Sequence, residues 1–178
     1  MERHEAIASI VAKFFKENRD MNPYASADTM RSLDHVIRTG LADGLARAAA
    51  AWRTVYQQLS RDVGIPTRDH PFPDQAEISR MRQYKQLADT LSEWASRIQA
   101  LEAPSNDRVY HRIRNNDQLL ELLIDTDYRL ASIAESMDRL ADTLRLTNAE
   151  ELRVEFLSQL EALGNAIRER SRTITAVP

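Results

Sequence analysis

The sequence contains no cysteine and is poor in the residues that break regular structure, with four glycines and six prolines among 178 residues. The absence of cysteine excludes disulfide bonds, thiolate metal sites and a cysteine nucleophile. The scarcity of glycine and proline indicates long regular elements with few tight turns. The four glycines are also too far apart in the chain to form a phosphate-binding glycine loop.

Aromatic residues and long apolar runs are scarce as well. Aromatic residues make up 6% of the chain, so the core must consist mainly of leucine, isoleucine, valine and alanine. No stretch approaches the ~20 consecutive apolar residues that span a bilayer. The first fifteen residues lack the apolar run of a signal peptide. We therefore expect a soluble, cytoplasmic protein that has no membrane partner and needs no cofactor.

The charge balance gives no general attraction to nucleic acids or membranes, because the formal net charge is −3. The basic residues are almost all arginine, with lysine only at positions 13, 16 and 85. The sequence is also rich in alanine, and we attribute both biases to the base composition of the gene. The arginines are therefore not counted as evidence of phosphate binding, and we do not expect a nucleic-acid partner.

Apolar residues recur at helical spacing in five segments, and 43% of the chain is apolar, which is enough to form a core. The predicted helices run over about 2–18, over about 27–63, from the cap at Asp74 to about 101, from a cap at Ser105 or Asn106 to about 145, and from T-N-A-E at 147–150 to about 170. Asp74 precedes the third helix and is predicted to cap it by accepting a backbone N–H. The sequence T-N-A-E at 147–150 predicts a capping box before the fifth.

Two of these helices carry more detailed signals. The longest has the small residues Gly40, Gly44 and Ala48 on nearly one face, which predicts close approach of another helix. Each glycine costs a helix ~1 kcal/mol relative to alanine, so a packing reason is expected. The third helix has apolar residues at alternating steps of three and four from Tyr84 to Leu101, which is typical of a coiled-coil seam.

The predicted fold is all-α, an elongated up-down bundle of about five helices with coiled-coil-like hairpins. Short connections make consecutive helices antiparallel neighbours. The expected divisions are an N-terminal helix over 1–18, an antiparallel bundle over 24–171 and a C-terminal tail over 172–178. A slender bundle often leaves an apolar stripe uncovered, so a protein partner is expected, and a homodimer in particular.

A column of carboxylates on the fourth predicted helix is a candidate metal site. Oxygen ligands of this kind suit Mg²⁺, Mn²⁺ or iron. The Glu-x-x-His pairs of the usual di-iron bundle are absent from the sequence. The candidate ligands are Asp117, Glu121, Asp125, Asp138 and Asp142.

The favoured interpretation of this column is a solvated face that is paired with basic residues. Folding the third and fourth predicted helices into a hairpin about Pro104 brings Arg80, Arg82 and Lys85 near Asp125 and Asp127. Such pairs contribute only ~0–1 kcal/mol each but favour the correct register of the hairpin.

The densest basic stretch is R-V-Y-H-R-I-R at 108–114, and it is a candidate anion-binding site. Its cationic residues are Arg108, His111, Arg112 and Arg114. They fall in the first turns of the fourth predicted helix, where the helix dipole prefers acids, so a bound phosphate or nucleic-acid backbone could compensate. The alternative is simple pairing with Glu93 or Glu102 across the hairpin.

The leading functional hypothesis is a protein-protein interaction or scaffold subunit without catalysis, because the sequence shows no constellation of catalytic residues. A divalent-metal-binding enzyme or regulator that uses the carboxylate column is the first alternative. An anion or nucleic-acid binder that uses the 108–114 cluster is the second.

Overall fold

The computed structural model describes residues 22, 24–63, 68, 74–101 and 107–175, and within these ranges it contains five α-helices and no strand. The all-α class and the helical bundle are confirmed. The helix predicted over 2–18 lies outside the described residues. None of the described helices is both long and apolar enough to cross a membrane. The helices are α1 (Ala27–Val63), α2 (Gln75–Ala100), α3 (Asp107–Arg114), α4 (Asp117–Thr143) and α5 (Ala149–Thr175).

Local hydrogen bonds determine where the helices begin. The carboxylate of Asp74 accepts the backbone N–H of Ala76 at 3.0 Å, which confirms the predicted cap of α2. Before α5, a short 3₁₀ turn (Leu146–Asn148) forms instead of a simple capping box. The side-chain oxygen of Asn148 accepts the backbone N–H of Arg145 at 2.7 Å and closes this turn.

The prediction of one continuous helix over 106–145 is wrong, because the chain breaks at Asn115 and Asn116 to give α3 and α4. The side chain of Asn116 accepts the backbone N–H of Leu119 at 3.2 Å and so caps α4. Asparagine favours such sites because its side chain competes for local backbone hydrogen bonds. The C-terminal helix also extends to Thr175, beyond its predicted end at Arg170.

The four long helices run up, down, up and down around a common core. Helix α1 packs against both α2 and α4, and α5 packs against α4. Helices α2 and α5 also meet, and the hydroxyl of Tyr84 donates to Glu150 at 3.0 Å. The predicted hairpin of α2 with α4 is therefore wrong: the two lie at opposite corners of the bundle.

The predicted apolar stripe of α1 forms the centre of the core and is buried along its whole length. Trp52 is fully buried, with its ring centroid 5.2 Å from that of Tyr84 and 5.6 Å from that of Phe156. The seam predicted on α2 is only partly buried, because Leu101 at its end is 38% exposed. The residues of the α1 stripe are Met30, Leu33, Ile37, Leu41, Gly44, Ala48, Trp52, Val55 and Leu59.

Helices α1 and α4 approach each other closely at Gly44, as the small residues of α1 predict. A Cβ atom at position 44 would lie 3.3 Å from the backbone oxygen of Ala134 and 3.3 Å from Oδ1 of Asp138. A Cβ atom at Gly40 would meet nothing within 4 Å. Of these two glycines, only Gly44 is therefore required by close helix packing. Gly40 lowers helix stability although no neighbouring atom requires a glycine there.

Replacing each of these glycines by alanine should have different effects on stability. We expect Gly40→Ala to raise the free energy of unfolding by ~0.5–1 kcal/mol, because alanine has the higher helix propensity and open space surrounds its Cβ. Gly44→Ala gains the same propensity but crowds a backbone oxygen that cannot move freely, so it should be the less stable variant. Urea denaturation of the two variants checks this, and equal stabilisation would contradict close packing at Gly44.

Candidate functional site

The structure does not gather the predicted acidic column into a metal site. Asp117, Glu121 and Asp142 are exposed. Asp117 lies in the first turn of α4, where the helix dipole favours a carboxylate. Among the described residues, no group of three or more histidine, aspartate or glutamate side chains is close enough to hold a metal ion. The column therefore gives the metal hypothesis no geometric support.

The two half-buried acids of the column are paired with arginines. Nη2 of Arg47 lies 2.6 Å from each carboxylate oxygen of Asp138, which gives a bidentate pair between α1 and α4. Arg129 bridges Asp125 at 2.5 Å and Glu169 at 2.6 Å. The basic partners predicted from α2 do not take part in these contacts.

The side chains of α2 pair within their own helix instead. Lys85 contacts Asp89 at 3.0 Å, and Arg97 contacts Glu93 at 2.7 Å. The predicted contacts of Arg80, Arg82 and Lys85 with the acids of α4 are wrong because α2 lies across the bundle from α4.

The basic stretch 108–114 faces solvent at all four cationic positions, Arg108, His111, Arg112 and Arg114. Because α3 ends at Arg114, three of these residues lie in its last turn rather than at the start of a long helix. The helix dipole favours cations at a C-terminus, so the stated reason for a compensating anion is wrong. The apolar side of α3 is buried through Tyr110 and Ile113.

The bundle contains a buried charge network that the sequence pattern did not predict, defined here as Asp34, Arg38, Asp127 and Arg170. Arg170 of α5 joins carboxylates from two other helices. Its Nη2 lies 2.6 Å from Oδ1 of Asp34 on α1, and its Nε donates to Oδ1 of Asp127 on α4 at 2.8 Å. The side chains of Asp34 and Asp127 are only 1% and 2% exposed, and that of Arg170 is 13% exposed.

Further contacts satisfy the remaining oxygens of these carboxylates. Arg38 reaches Oδ2 of Asp34 through Nε at 2.9 Å and Nη2 at 2.8 Å. The hydroxyl of Tyr24 donates to Oδ2 of Asp127 at 3.2 Å. Nη1 of Arg38 also donates to the backbone oxygen of Leu101, at the end of α2. The network thereby connects all four long helices and the segment that precedes α1.

Burial and ion pairing shift the pKa values of the network residues in opposite directions. Burial raises the pKa of Asp127 above its ordinary value, although Arg170 opposes this shift. Burial lowers the pKa of Arg170, but Asp127 and Asp34 outweigh this effect and hold it above the ordinary value. Burial also raises the pKa of the neighbouring Tyr110 to about 12, with a further contribution from Asp34. Arg170 therefore stays charged.

Spacing in the sequence contains the signal that could have revealed this network. At three positions, Asp34, Asp127 and Arg170, a charged residue stands where an apolar residue would normally continue a helical stripe. A charged residue at a stripe position must find a partner inside the bundle. The flanking apolar residues are Met30 and Ile37 around Asp34, Leu123 and Leu130 around Asp127, and Ile167 and Ile174 around Arg170.

A cleft of about 160 Å³ lies beside the network, between α1, α2 and α5, with Leu130 of α4 contributing to its wall. Its walls are mostly aliphatic, and its charged side chains are Arg38 and Arg170. The partly exposed Leu101 also lines it. Such a cleft can bind an apolar group that carries one hydrogen-bonding head. The isoleucines that line it are Ile37, Ile98, Ile167 and Ile174.

Replacing Arg170 by methionine should strongly destabilise the bundle, because it leaves two buried carboxylates with one fewer cation. Losing one partner of a buried ion pair typically costs ~3–5 kcal/mol. The matched change is Arg97→Met, which removes an exposed pair and should change the free energy of unfolding by about 1 kcal/mol or less. Urea denaturation near neutral pH measures both, and similar small losses would contradict a buried role for Arg170.

The loss of stability caused by Arg170→Met should become smaller as the pH is lowered. A raised folded-state pKa of Asp127 means that its contribution to stability is present below the unfolded pKa and is lost as the pH rises through the folded pKa. Removing Arg170 removes the cation that opposes this shift, so the pKa of Asp127 should rise further in the variant. The gap in denaturation midpoint between wild type and variant should therefore narrow between neutral and mildly acidic pH. A constant gap would contradict this expectation.

Comparison of the chain with models of protein families, with curated proteins and with solved structures gives no match in any of the three. The charge network, the cleft and the exposed surface of the bundle are therefore interpreted from their own geometry and chemistry.

Proposed function

We propose that the chain is a cytoplasmic helical-bundle subunit that acts by binding another protein chain and not by catalysis, and that its partner is a second copy of itself. The contact surface is the outer face of α5, defined here as Arg153, Val154, Leu157 and Glu161. Asp125 and Asp138 of the acidic candidate site are paired with arginines, whereas this face presents apolar side chains to solvent.

The observation that supports this proposal is the exposure of two neighbouring apolar side chains on α5. Val154 is 63% exposed and Leu157 is 46% exposed, while Phe156 and Leu160 of the same helix are buried in the core. Residues three apart lie side by side on a helix, so the two form one small apolar patch. Removing such a patch from water favours association.

The charges around this patch favour an antiparallel pair of identical helices. Arg153 and Glu161 lie four residues on either side of Leu157. When Leu157 packs against its counterpart across a two-fold axis, Arg153 faces Glu161 of the partner subunit, and the reverse pair forms as well. Arg153 contacts Glu150 within its own helix at 3.3 Å, so it would bridge two carboxylates in the dimer.

The small size of the patch sets the expected strength of the contact. A stable interface usually buries about 800 Å² on each partner, which is far more than two side chains supply. We therefore expect weak, reversible association that depends on protein concentration.

The two alternative functions receive less support. A carboxylate metal site needs acids that turn inward together, and Glu121 is exposed while Asp125 is paired with Arg129. Anion binding at 108–114 was inferred from an unfavourable helix dipole, and the dipole of α3 is favourable there.

Replacing Leu157 by glutamate should weaken self-association at least about tenfold, because it places a like-charged pair at the centre of the two-fold contact. The matched control is Leu122→Glu, the same change at a side chain of similar exposure, 44%, on α4. Sedimentation equilibrium over a range of protein concentrations measures both variants against wild type. Equal weakening by the two substitutions would contradict the α5 face.

A charge exchange tests the antiparallel register. Arg153→Glu alone should weaken the dimer, and the double variant Arg153→Glu with Glu161→Arg should restore it, because the pair across the axis is remade with its signs reversed. Failure of the double variant to recover would exclude this register. A wild-type chain that stays monomeric at high concentration would contradict the proposal as a whole.

A further inference from the structure

We propose that the cleft beside the charge network binds a small apolar carboxylic acid in its ionised form. The carboxylate of the ligand accepts hydrogen bonds from Arg170, and its apolar body lies among the isoleucines of the cleft. This site is separate from the α5 outer face, since the α5 residues that line the cleft lie in 167–175 and the face ends at Glu161.

The walls of the cleft determine the size and polarity of the apolar part of the ligand. Six of the eleven lining residues are isoleucine or leucine from α1, α2 and α5, and Leu130 of α4 adds a seventh. The volume of about 160 Å³ is close to that of an aliphatic cavity of about 150 Å³ that takes up benzene. One aromatic ring or a short branched chain therefore fits within the cleft.

Arg170 determines which polar head group of the ligand can bind. Its Nε and Nη2 hold Asp127 and Asp34, whereas its Nη1 donates no hydrogen bond to any described residue. The two buried carboxylates fix the plane of the guanidinium, so the free N–H groups are already oriented before a ligand arrives. Ser171 also lines the cleft.

The charges of the network favour a ligand that binds through direct hydrogen bonds over an anion that is attracted from a distance. Asp34 and Asp127 balance Arg38 and Arg170, so the network has no net charge to attract anions from a distance. Binding must then come from direct contact with Arg170 and from burial of the apolar body. Such binding depends only modestly on salt concentration, unlike association with an exposed basic cluster.

The experiment is a titration of the full chain, labelled at the isoleucine δ1 methyl groups, with benzoate and with its neutral analogue benzamide, followed by ¹H–¹³C NMR. Four labelled residues, Ile37, Ile98, Ile167 and Ile174, report on the cleft. Ile78 is an internal control, because it lies twenty residues before Ile98 on α2, about 30 Å along the helix axis.

We expect benzoate to shift the four cleft methyl signals in a saturable way and to leave Ile78 unchanged. Benzamide should bind about tenfold more weakly, because it loses the charge-assisted hydrogen bond to Arg170. Equal binding of the two compounds would overturn the proposal, since the cleft would then be an apolar site without a carboxylate head. The absence of saturable shifts with benzoate would overturn it as well.

Paired variants separate the head contact from the body contact. Arg170→Lys should weaken benzoate binding about tenfold and leave benzamide binding unchanged, with Arg168→Lys as the control outside the cleft. Ile167→Phe should fill the cleft and abolish binding of both compounds, with Leu122→Phe as the exposed control on α4. If Arg170→Lys does not fold, the comparison of benzoate with benzamide on the wild-type chain still decides the outcome.

Discussion

The guanidinium of Arg170 holds two buried carboxylates from two different helices, and the arrangement of the bundle depends on this contact. Taking charges out of water costs several kcal/mol for each ion, and only good geometry with satisfied hydrogen bonds offsets the cost. Asp34, Asp127 and Arg170 meet this condition only when α1, α4 and α5 have their observed positions. Sliding of α1, α4 or α5 along its neighbours would leave one of these charges buried without its partner. The network therefore specifies the register of an aliphatic core that could otherwise pack in several ways.

Helix α5 combines the structural and the proposed functional roles. Its C-terminal half supplies Arg170 to the network and lines the cleft beside it. Its N-terminal half presents Val154 and Leu157 to solvent. Because the network fixes the position of α5 against α1 and α4, it also fixes the walls of the cleft and the direction of the exposed face. A structural ion pair and two proposed binding surfaces thus share one helix.

The sequence predicts single helices well and their neighbours poorly. The bounds of α1 are predicted because its apolar stripe continues without interruption from Met30 to Leu59. The break before α4 is missed because one asparagine cap, Asn116, causes it, without glycine or proline. The neighbour of α2 is wrongly predicted because a stripe shows which face of a helix is buried but not which helix covers it. The candidate site is missed because charged residues at stripe positions, such as Asp127, were treated as solvated.

The most direct test of the network is NMR of the arginine side chains in the full chain, with attention to hydrogen exchange at Nε–H. An arginine whose Nε donates to a carboxylate that is 2% exposed should give an Nε–H signal that exchanges slowly with water, and this signal should belong to Arg170. It should also show a nuclear Overhauser contact to a neighbouring tyrosine, the half-buried Tyr24 or the buried Tyr110. Fast exchange at Arg170, as at the arginines on the surface, would contradict the central place given to this contact.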